Sequence, residues 1–298
     1  MKGKNFLISS ISLGVMMFAY LFVTSIAEAQ YSSNFESLNA LSSGTILTGQ
    51  EGYYRPSGID WNAYTYSGNI LGLPTNPAGG DNFVAGNATA SGLARTQHDV
   101  DFSGANLWTI SYDFAAGRYP PTAPPPQQYI GSFSTQPTLG SAAYFNIMSW
   151  VDINDPGAGF NAIYQAYNES NVLVTYPSPG SAWEQLALNH WYHAWTTFDF
   201  GSNMITEVGI IDLSNNNETI FNPTNWYLGG GQPDGLDAPS AFRFFAGGLN
   251  DITPSAGNVL AFDNINITSS QPVPEPATML LLGSGLIGLL GLRKKFRK

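Results

Sequence analysis

The side chains with the broadest chemical repertoire are scarce in this chain of 298 residues, which has three histidines and no cysteine. His190 and His193 lie three positions apart, so on a strand they point to opposite faces and do not easily share a metal ion. His98 is distant in sequence from both. The pattern favours hydrogen-bonded strand histidines over a zinc or catalytic site. Without cysteine, neither disulfides nor thiolate chemistry is available.

Paired carboxylates hydrolyse glycosidic bonds when one acts as acid and the other as base or nucleophile. The strand motif Glu-x-Asp-x-(x)-Glu, which would place them on one face, is absent. Glu207 is followed on its own face by Gly209 and Ile211. Asp99 and Asp101 share a face if they lie on one strand, but such a pair more often marks a solvated edge or a calcium site. We therefore expect no catalytic residues, with a glycoside hydrolase as the less favoured alternative.

Calcium is the metal that the sequence best accommodates, because it takes six to eight oxygen ligands. Asp152, Asn154 and Asp155 lie around a predicted turn and offer such oxygens. The same residues equally fit an ordinary turn in which Asp and Asn bond their own backbone. Ca²⁺ at these three residues is the one cofactor considered; otherwise none is expected.

Aromatic rings that are exposed can stack on the apolar faces of sugars. Five residues are candidates, because they alternate with small polar residues or adjoin a glycine run: Trp61, Tyr64, Tyr66, Trp226 and Tyr227. The alternative for each is a place in the core, where most large aromatics lie. An exposed row of two or three on a concave sheet would favour a glycan-binding module over a purely structural protein.

The elements that must position these residues are strands, because apolar residues recur at every second position through the middle of the chain. Five runs stand out: 107–114, 143–151, 191–200, 204–213 and 260–267. Turn clusters rich in Asn, Asp, Pro and Gly separate the runs. We predict an all-β jelly-roll sandwich of about twelve strands in one domain, 30–268. The proline-rich stretch 120–126 is predicted to be a surface loop rather than a domain boundary.

Charge is distributed unevenly along the chain, whose formal net charge is −10. Between residues 30 and 276 there are four arginines, no lysine and 20 acidic residues, which gives a net charge of −16. Such a surface repels phosphate backbones and anionic headgroups. Nucleic acid is therefore excluded as a partner, and an anionic polymer is expected to need bridging cations.

The first 29 residues resemble a secretory signal peptide. Its three parts are a basic start at Lys2 and Lys4, an apolar run over 6–26, and small residues at Ala27 and Ala29. Signal peptidase would then cut before Gln30. An uncleaved anchor helix is the alternative. Whether the segment is a cleaved signal peptide or an anchor helix, the body leaves the cytoplasm.

The C-terminal end has three consecutive parts. A linker over 269–276 ends in Pro274, Glu275 and Pro276; an uncharged run covers 277–292; and a basic tail covers 293–298, with Arg293, Lys294, Lys295 and Arg297. Sixteen helical residues span roughly 24 Å, slightly less than the ~30 Å hydrocarbon core of a bilayer. The basic tail would stay in the cytoplasm by the positive-inside rule. We therefore predict a transmembrane helix over 277–292.

This tail resembles the PEP-CTERM sorting signal. The resemblance implies that exosortase recognises Pro274, Glu275 and Pro276, removes the tail and releases a protein held only transiently in the inner membrane. It also implies a Gram-negative host that makes exopolysaccharide, with the cell surface or a biofilm matrix as the destination. An ordinary stop-transfer anchor is the alternative.

The body resembles the concanavalin A-like lectin/glucanase and laminin-G-like jelly rolls. The matching segments, in order, are 34–36, 49–53, 107–114, 191–193, 198–200 and 262–265. The resemblance implies a sandwich whose concave sheet often binds glycans. We therefore expect a non-catalytic glycan-binding module, with a structural or adhesive surface protein lacking a ligand site as the alternative.

Overall fold

The computed structural model describes seven segments of the chain: 28–87, 93–120, 129–136, 146–152, 159–229, 239–247 and 257–270. Residues 29–269 group into one compact unit. Within the described segments, no helix is both long enough and apolar enough to cross a membrane. The predicted transmembrane helix lies outside them.

Fifteen strands and one short 3₁₀ helix make up the described part of the chain. They are β1 (Glu28–Ser33), β2 (Thr45–Ile46), β3 (Asn62–Thr65), β4 (Asn82–Asn87), β5 (Ala94–Asp99), β6 (Leu107–Arg118), β7 (Tyr129–Gln136), β8 (Asn146–Asp152), β9 (Phe160–Tyr167), β10 (Leu173–Tyr176), η1 (Ser181–Trp183), β11 (Tyr192–Asp199), β12 (Met204–Asp212), β13 (Asn217–Phe221), β14 (Ala241–Ala246) and β15 (Asn258–Ser270).

The strands form two sheets that pack as a sandwich. The nine-stranded sheet has the order β13-β12-β11-β6-β15-β4-β3-β2, and β1 also pairs with β15. The six-stranded sheet has the order β10-β9-β8-β7-β14-β5. This arrangement confirms the predicted all-β sandwich. The strand count exceeds twelve partly because some strands, such as β2 with its two residues, are very short.

Period-two alternation decides which side chains enter the core. On β6, Trp108, Ile110 and Tyr112 are buried between the sheets, as the sequence predicted. Tyr112 stacks on Phe133 of the facing sheet, with ring centroids 4.4 Å apart. Such aromatic pairs add about 0.5–1.5 kcal/mol beyond the area that they bury. The contact between the two sheets therefore includes stacked aromatic rings as well as aliphatic side chains.

A second apolar cluster covers part of the outer face of the nine-stranded sheet. The segment 66–81 folds over this face, and its Leu71 and Leu73 pack there with Phe83 and Trp191. The Trp191 indole N–H donates to the carbonyl of Pro74 at 2.8 Å. This side of the sandwich is consequently closed to solvent beneath that segment.

Gly209 shows how closely β11 and β12 pack. The register places Gly209 opposite Trp195, and a Cβ at position 209 would collide with the indole ring. The ring is held in place because its Nε1 donates to Glu207 at 2.7 Å. We predict that Gly209→Ala lowers the free energy of unfolding by about 1–3 kcal/mol through overpacking. Chemical denaturation measures this change.

The matched control is Gly180→Ala. Gly180 has an extended backbone, and a Cβ there would meet no atom within 4 Å. We expect its free energy of unfolding to change by less than about 0.5 kcal/mol. Equal stability of the two variants would show that the indole does not constrain position 209.

Candidate functional site

A cleft of about 380 Å³ opens where β11, β12 and β13 reach the edge of the nine-stranded sheet. Its floor is the sheet face that bears the core residue Ile210. In the register, Ile210 pairs with Thr219, and Asp212 pairs with both Tyr192 and Asn217. Directly paired residues point to the same face of a sheet. Five strand residues thus converge on the cleft from three adjacent strands.

The opposite wall is the segment that runs from η1 to Leu186. The backbone of Leu186 exchanges two hydrogen bonds with Phe160 of β9, at 2.7 and 2.9 Å. The next residue, Ala187, donates its N–H to the Tyr192 hydroxyl at 2.8 Å. Gln185 adopts a left-handed φ of 54° and donates its N–H to the Asn161 side chain. These contacts fix the wall to both sheets, so the cleft is preformed.

The lining combines an apolar base with a polar rim. Leu186, Tyr192 and Ile210 form the base and are almost inaccessible. The rim consists of exposed amides, hydroxyls and one carboxylate: Ser181, Glu184, Gln185, Asn215, Asn217 and Thr219. Among the lining residues that the structure describes, none is lysine or arginine. The surface that a ligand would meet is therefore mostly polar, and the three apolar residues close the bottom of the cleft.

Asp212 is the second carboxylate in the cleft, and its oxygens are already engaged. It accepts hydrogen bonds from His190 Nε2 at 2.7 Å, from the Ser214 N–H and hydroxyl at 2.9 and 2.7 Å, and from Asn215 Nδ2 at 3.0 Å. Burial acts to raise the pKa of Asp212, but the hydrogen bonds from His190 and Ser214 outweigh it and lower the pKa. The group is therefore ionised at neutral pH and poorly suited to act as a general acid.

A pair of carboxylates lies on the outer face of the nine-stranded sheet, beneath the segment 66–81. Asn76 Nδ2 lies 2.7 Å from Asp113 Oδ2 and 3.2 Å from Asp263 Oδ2, so one amide bridges both groups. Asp113 also accepts from His193 at 2.6 Å and from Asn264 at 2.8 Å. Because Asp113 is 1% exposed and Asp263 0%, no substrate reaches this pair.

The histidines occupy separate environments. His190 contacts Asp212 at the cleft, whereas His193 contacts Asp113 on the opposite face of the sheet. His98 Nε2 lies 2.9 Å from the carbonyl of Glu51, and burial lowers the pKa of this imidazole. Among the described residues, no group of three acidic or histidine side chains is placed to hold a metal ion.

The aromatic residues predicted to form a sugar platform are buried. Trp61, Tyr64, Tyr66, Trp226 and Tyr227 are each 7% exposed or less, so the expectation that they present their rings to solvent is wrong. The ring of Trp61 lies in the core and stacks on Phe262, with ring centroids 5.7 Å apart.

Tyr64 and Tyr66 lie on the outer face of the nine-stranded sheet, where the segment 66–81 covers them. Both stack on Phe83, with ring centroids 5.5 and 4.7 Å away. Trp226 packs against Tyr164 at 5.3 Å in the main core. Tyr227 is held by backbone hydrogen bonds to Tyr167. None of the five is therefore placed to stack on a sugar.

Asp99 and Asp101 do not share a strand face. Strand β5 ends at Asp99, which accepts a hydrogen bond from the Tyr54 hydroxyl at 2.7 Å. Asp101 lies beyond the strand and accepts from the backbone N–H of Ser103 at 2.8 Å. The condition under which Asp99 and Asp101 would share a face is therefore not met.

Several predicted sites lie at or beyond the limits of the described residues. Asp152 is the last residue of β8, while Asn154 and Asp155 lie outside, so the calcium prediction stays a prediction. Ala29 and Gln30 belong to β1, and Ala27 lies outside. The sorting residues also lie outside: Pro274, Glu275, Pro276, Arg293, Lys294, Lys295 and Arg297.

Known structures resemble this chain in fold. The CBM2 module of the evolved Dit of Lactobacillus casei BL23 phage J-1 is 12% identical, with a TM-score of 0.50, over 85% of this chain and 100% of that one. The PL-14 alginate lyase of Aplysia kurodai is 9% identical, with a TM-score of 0.48, over 82% and 100%. Basic winged bean lectin is 12% identical, with a TM-score of 0.41, over 83% and 99%. At these identities the likeness concerns the fold alone, that of a jelly-roll sandwich.

The tail is more specific than the fold. Residues 272–297 match the family model described as the PEP-CTERM protein-sorting motif. The chain is therefore an exported protein that carries an exosortase sorting signal and is transiently anchored in a membrane. No curated protein matches the chain significantly.

Proposed function

We propose that this exported protein binds a neutral glycan in the cleft at the β11–β13 edge, at the cell surface or in an exopolysaccharide matrix, without catalysing a reaction. The observation that carries the proposal is the lining of the cleft. Tyr192 and two aliphatic residues form its base, and exposed amides and hydroxyls form its rim. The hydroxyl groups of a sugar are complementary to the amides and hydroxyls of this rim.

The charge of the lining favours an uncharged sugar. Glu184 and Asp212 both line the cleft, and the body carries a net charge of −16 between residues 30 and 276. A uronate or sulfated sugar would meet like charge at short range, whereas sugar hydroxyls donate hydrogen bonds to carboxylates. The cleft volume of about 380 Å³ falls within the ~300–1,000 Å³ range of ligand sites.

The carboxylates support binding of a glycan without its hydrolysis. Asp212 is fully engaged by neighbouring donors, and a lowered pKa keeps it ionised. Asp113 and Asp263 are enclosed. Retaining glycosidases need two accessible carboxyl groups about 5–5.5 Å apart. We therefore propose a lectin-like protein, with exosortase and signal peptidase as its partners during export and a polysaccharide afterwards.

The test is a cleft-filling variant of the full-length protein in lipid nanodiscs, screened on an array of neutral oligosaccharides. Thr219 lies in the cleft and is exposed, so Thr219→Tyr would fill it without disturbing the core. We expect at least a ten-fold loss of affinity, or about 1.4 kcal/mol. Ile220→Tyr is the control, because Ile220 is 50% exposed and points to the other face of β13.

Two outcomes would contradict the proposal. One is a folded protein that binds no neutral glycan, which would favour the alternative of a structural surface protein. The other is equal affinity of the Thr219→Tyr and Ile220→Tyr variants, which would place the glycan elsewhere.

A further inference from the structure

Strand β13 is an open edge of the nine-stranded sheet. It pairs with β12 on one side, and its residues 217–220 are exposed. Among the described residues, no backbone group forms a hydrogen bond with the other side of β13. An edge strand directs alternate N–H and C=O groups away from its sheet. The strand therefore presents a row of backbone donors and acceptors to the solvent.

The other ends of the two sheet orders are shorter or covered. These ends are β2, β10 and β5. Strand β2 has two residues, and β10 has four, of which two are partly covered. The segment 54–59 forms backbone bridges with β5. Proteins often protect an edge with lysine, proline or a bulge, and β13 has none of the three. Of these four ends, β13 is thus the best suited to pair with another strand.

The sequence of β13 is complementary to itself in one antiparallel register. When Thr219 faces the same residue of a second copy, Glu218 faces the partner's Ile220 rather than the partner's Glu218. Like charges directly opposite each other would destabilise the pair, whereas two opposed threonines can hydrogen-bond. Ile220, which is 50% exposed, then lies diagonal to the partner's Ile220, where the two side chains partly cover each other.

We propose that a second copy of this chain pairs with β13 across a two-fold axis at Thr219, and that the two clefts join. Directly paired residues point to the same face of a sheet. Because Thr219 lines the cleft, the partner's Thr219 enters the same lining. The joined clefts take a longer stretch of a polysaccharide than one cleft holds. The joined site rests on the proposed function, whereas the pairing itself does not.

Electrostatic repulsion acts against the pairing and makes it dependent on salt. Each body carries a net charge of −16 between residues 30 and 276. Salt screens the repulsion between two such bodies, with a Debye length of about 8 Å at physiological ionic strength. Within β13 the single charged residue is Glu218, which faces an aliphatic side chain in this register. We therefore expect the pairing to strengthen as the salt concentration rises.

The experiment uses single-cysteine variants, because the chain has no cysteine of its own. Directly opposite Cα atoms of antiparallel strands are about 4.5–5.5 Å apart, which a disulfide spans, whereas diagonal positions about 7–8 Å apart are beyond its reach. Full-length Thr219→Cys in detergent micelles, without glycan, should form a disulfide-linked dimer under copper–phenanthroline oxidation. Glu218→Cys is the matched control, and it should cross-link at least about ten-fold more slowly.

A mixture of two variants tests the register. Glu218→Cys and Ile220→Cys face each other in the proposed pair, so the mixture should give a heterodimer that neither variant gives alone. A size tag on one variant separates the heterodimer from homodimers on a non-reducing gel. Association elsewhere on the chain would bring the copies together without selecting a register. Raising the salt concentration should increase the yield of the Thr219→Cys dimer.

The inference is overturned if Thr219→Cys and Glu218→Cys cross-link at the same rate, or if Thr219→Cys stays monomeric while its circular dichroism shows the native fold. A homodimer of Ile220→Cys alone would contradict the register, and a yield that falls with salt would contradict pairing between like-charged bodies. These results do not depend on what the cleft binds, since no glycan is present. The array screen decides the cleft separately, so failure of the pairing and failure of the glycan site are distinguishable.

Discussion

Replacing Asp113 with alanine is expected to lower the free energy of unfolding by about 3–5 kcal/mol, because it removes one partner from a buried charged network. The carboxylate is 1% exposed and accepts hydrogen bonds from His193, Asn76 and Asn264. All three donors would lose this acceptor, and the buried Asn76 would keep only its longer contact of 3.2 Å with Asp263. All three belong to elements other than β6, and Asn76 lies in the segment 66–81, so the substitution also loosens that segment from the sheet. Urea denaturation followed by tryptophan fluorescence measures the change.

Asp101→Ala is the control for this substitution. Asp101 is exposed and accepts from the backbone of Ser103 in a turn. Its removal should leave the free energy of unfolding close to that of the wild-type protein. If the two alanine variants unfolded at the same urea concentration, the network beneath the segment 66–81 would contribute nothing measurable to stability.

Stability should fall as the pH rises from about 4 to about 7, because of Asp263. Burial raises the pKa of this carboxyl to about 7, even though Tyr66, Asn264 and Asn76 donate hydrogen bonds to it. The unfolded chain loses the proton near the ordinary value of 3.8, whereas the folded protein retains it up to about 7. Each pKa unit corresponds to about 1.4 kcal/mol, so the loss of stability approaches 4 kcal/mol across this range.

The effect is isolated by comparing the wild-type protein with Asp263→Asn at each pH. Other groups titrate in both proteins, including His98, whose lowered pKa works in the opposite direction below about pH 6.5. The free energy of unfolding of the wild type minus that of the variant should decrease by several kcal/mol between pH 4 and pH 8. A difference that is constant, or that grows with pH, would show that Asp263 is not held protonated in the fold.

The strands were predictable because their signal is local. Strand β6 shows period-two alternation within its own residues, β11 is dense in aromatics, β12 is rich in β-branched and apolar residues, and β15 is predicted from its apolar run, and the structure confirms all four. The two-sheet architecture follows, since strands with one apolar face must bury it against another layer.

Whether the aromatic rings are exposed or buried was not predictable in the same way. The alternation of Tyr64 and Tyr66 gives their face, but what covers that face is decided by the segment 66–81. No local pattern in the sequence predicts that this segment folds back over the sheet. Whether an outward-facing ring is buried depends on tertiary structure. The local sequence is the same whether such a ring is covered by another segment or exposed to solvent.

The cleft was missed because its residues come from separate parts of the chain. The wall follows η1, and the floor combines β11 with the hairpin of β12 and β13. The run Ser214-Asn215-Asn216 is a turn signal that could have placed Asp212 opposite Asn217. The position of Leu186 against Phe160 of the other sheet has no such signal.

The contact between Arg243 and Gln97 illustrates the same limit over a longer distance. Composition shows that arginines are few, but 146 residues separate Arg243 from Gln97. Their meeting depends on the pairing of β14 with β5, which no local pattern encodes. The number of charged residues can be counted from the sequence, whereas the strand register determines which residues they contact.

The most direct test of the central claim is calorimetric titration of the full-length protein in nanodiscs with the neutral oligosaccharide that binds best on the array. Thr219→Tyr and Ile220→Tyr are titrated in parallel. A glycan-binding cleft predicts saturable binding by the wild-type protein and by Ile220→Tyr, and its loss in Thr219→Tyr. Absence of saturable binding to any neutral oligosaccharide, in a protein whose near-UV circular dichroism shows native packing, would contradict the account.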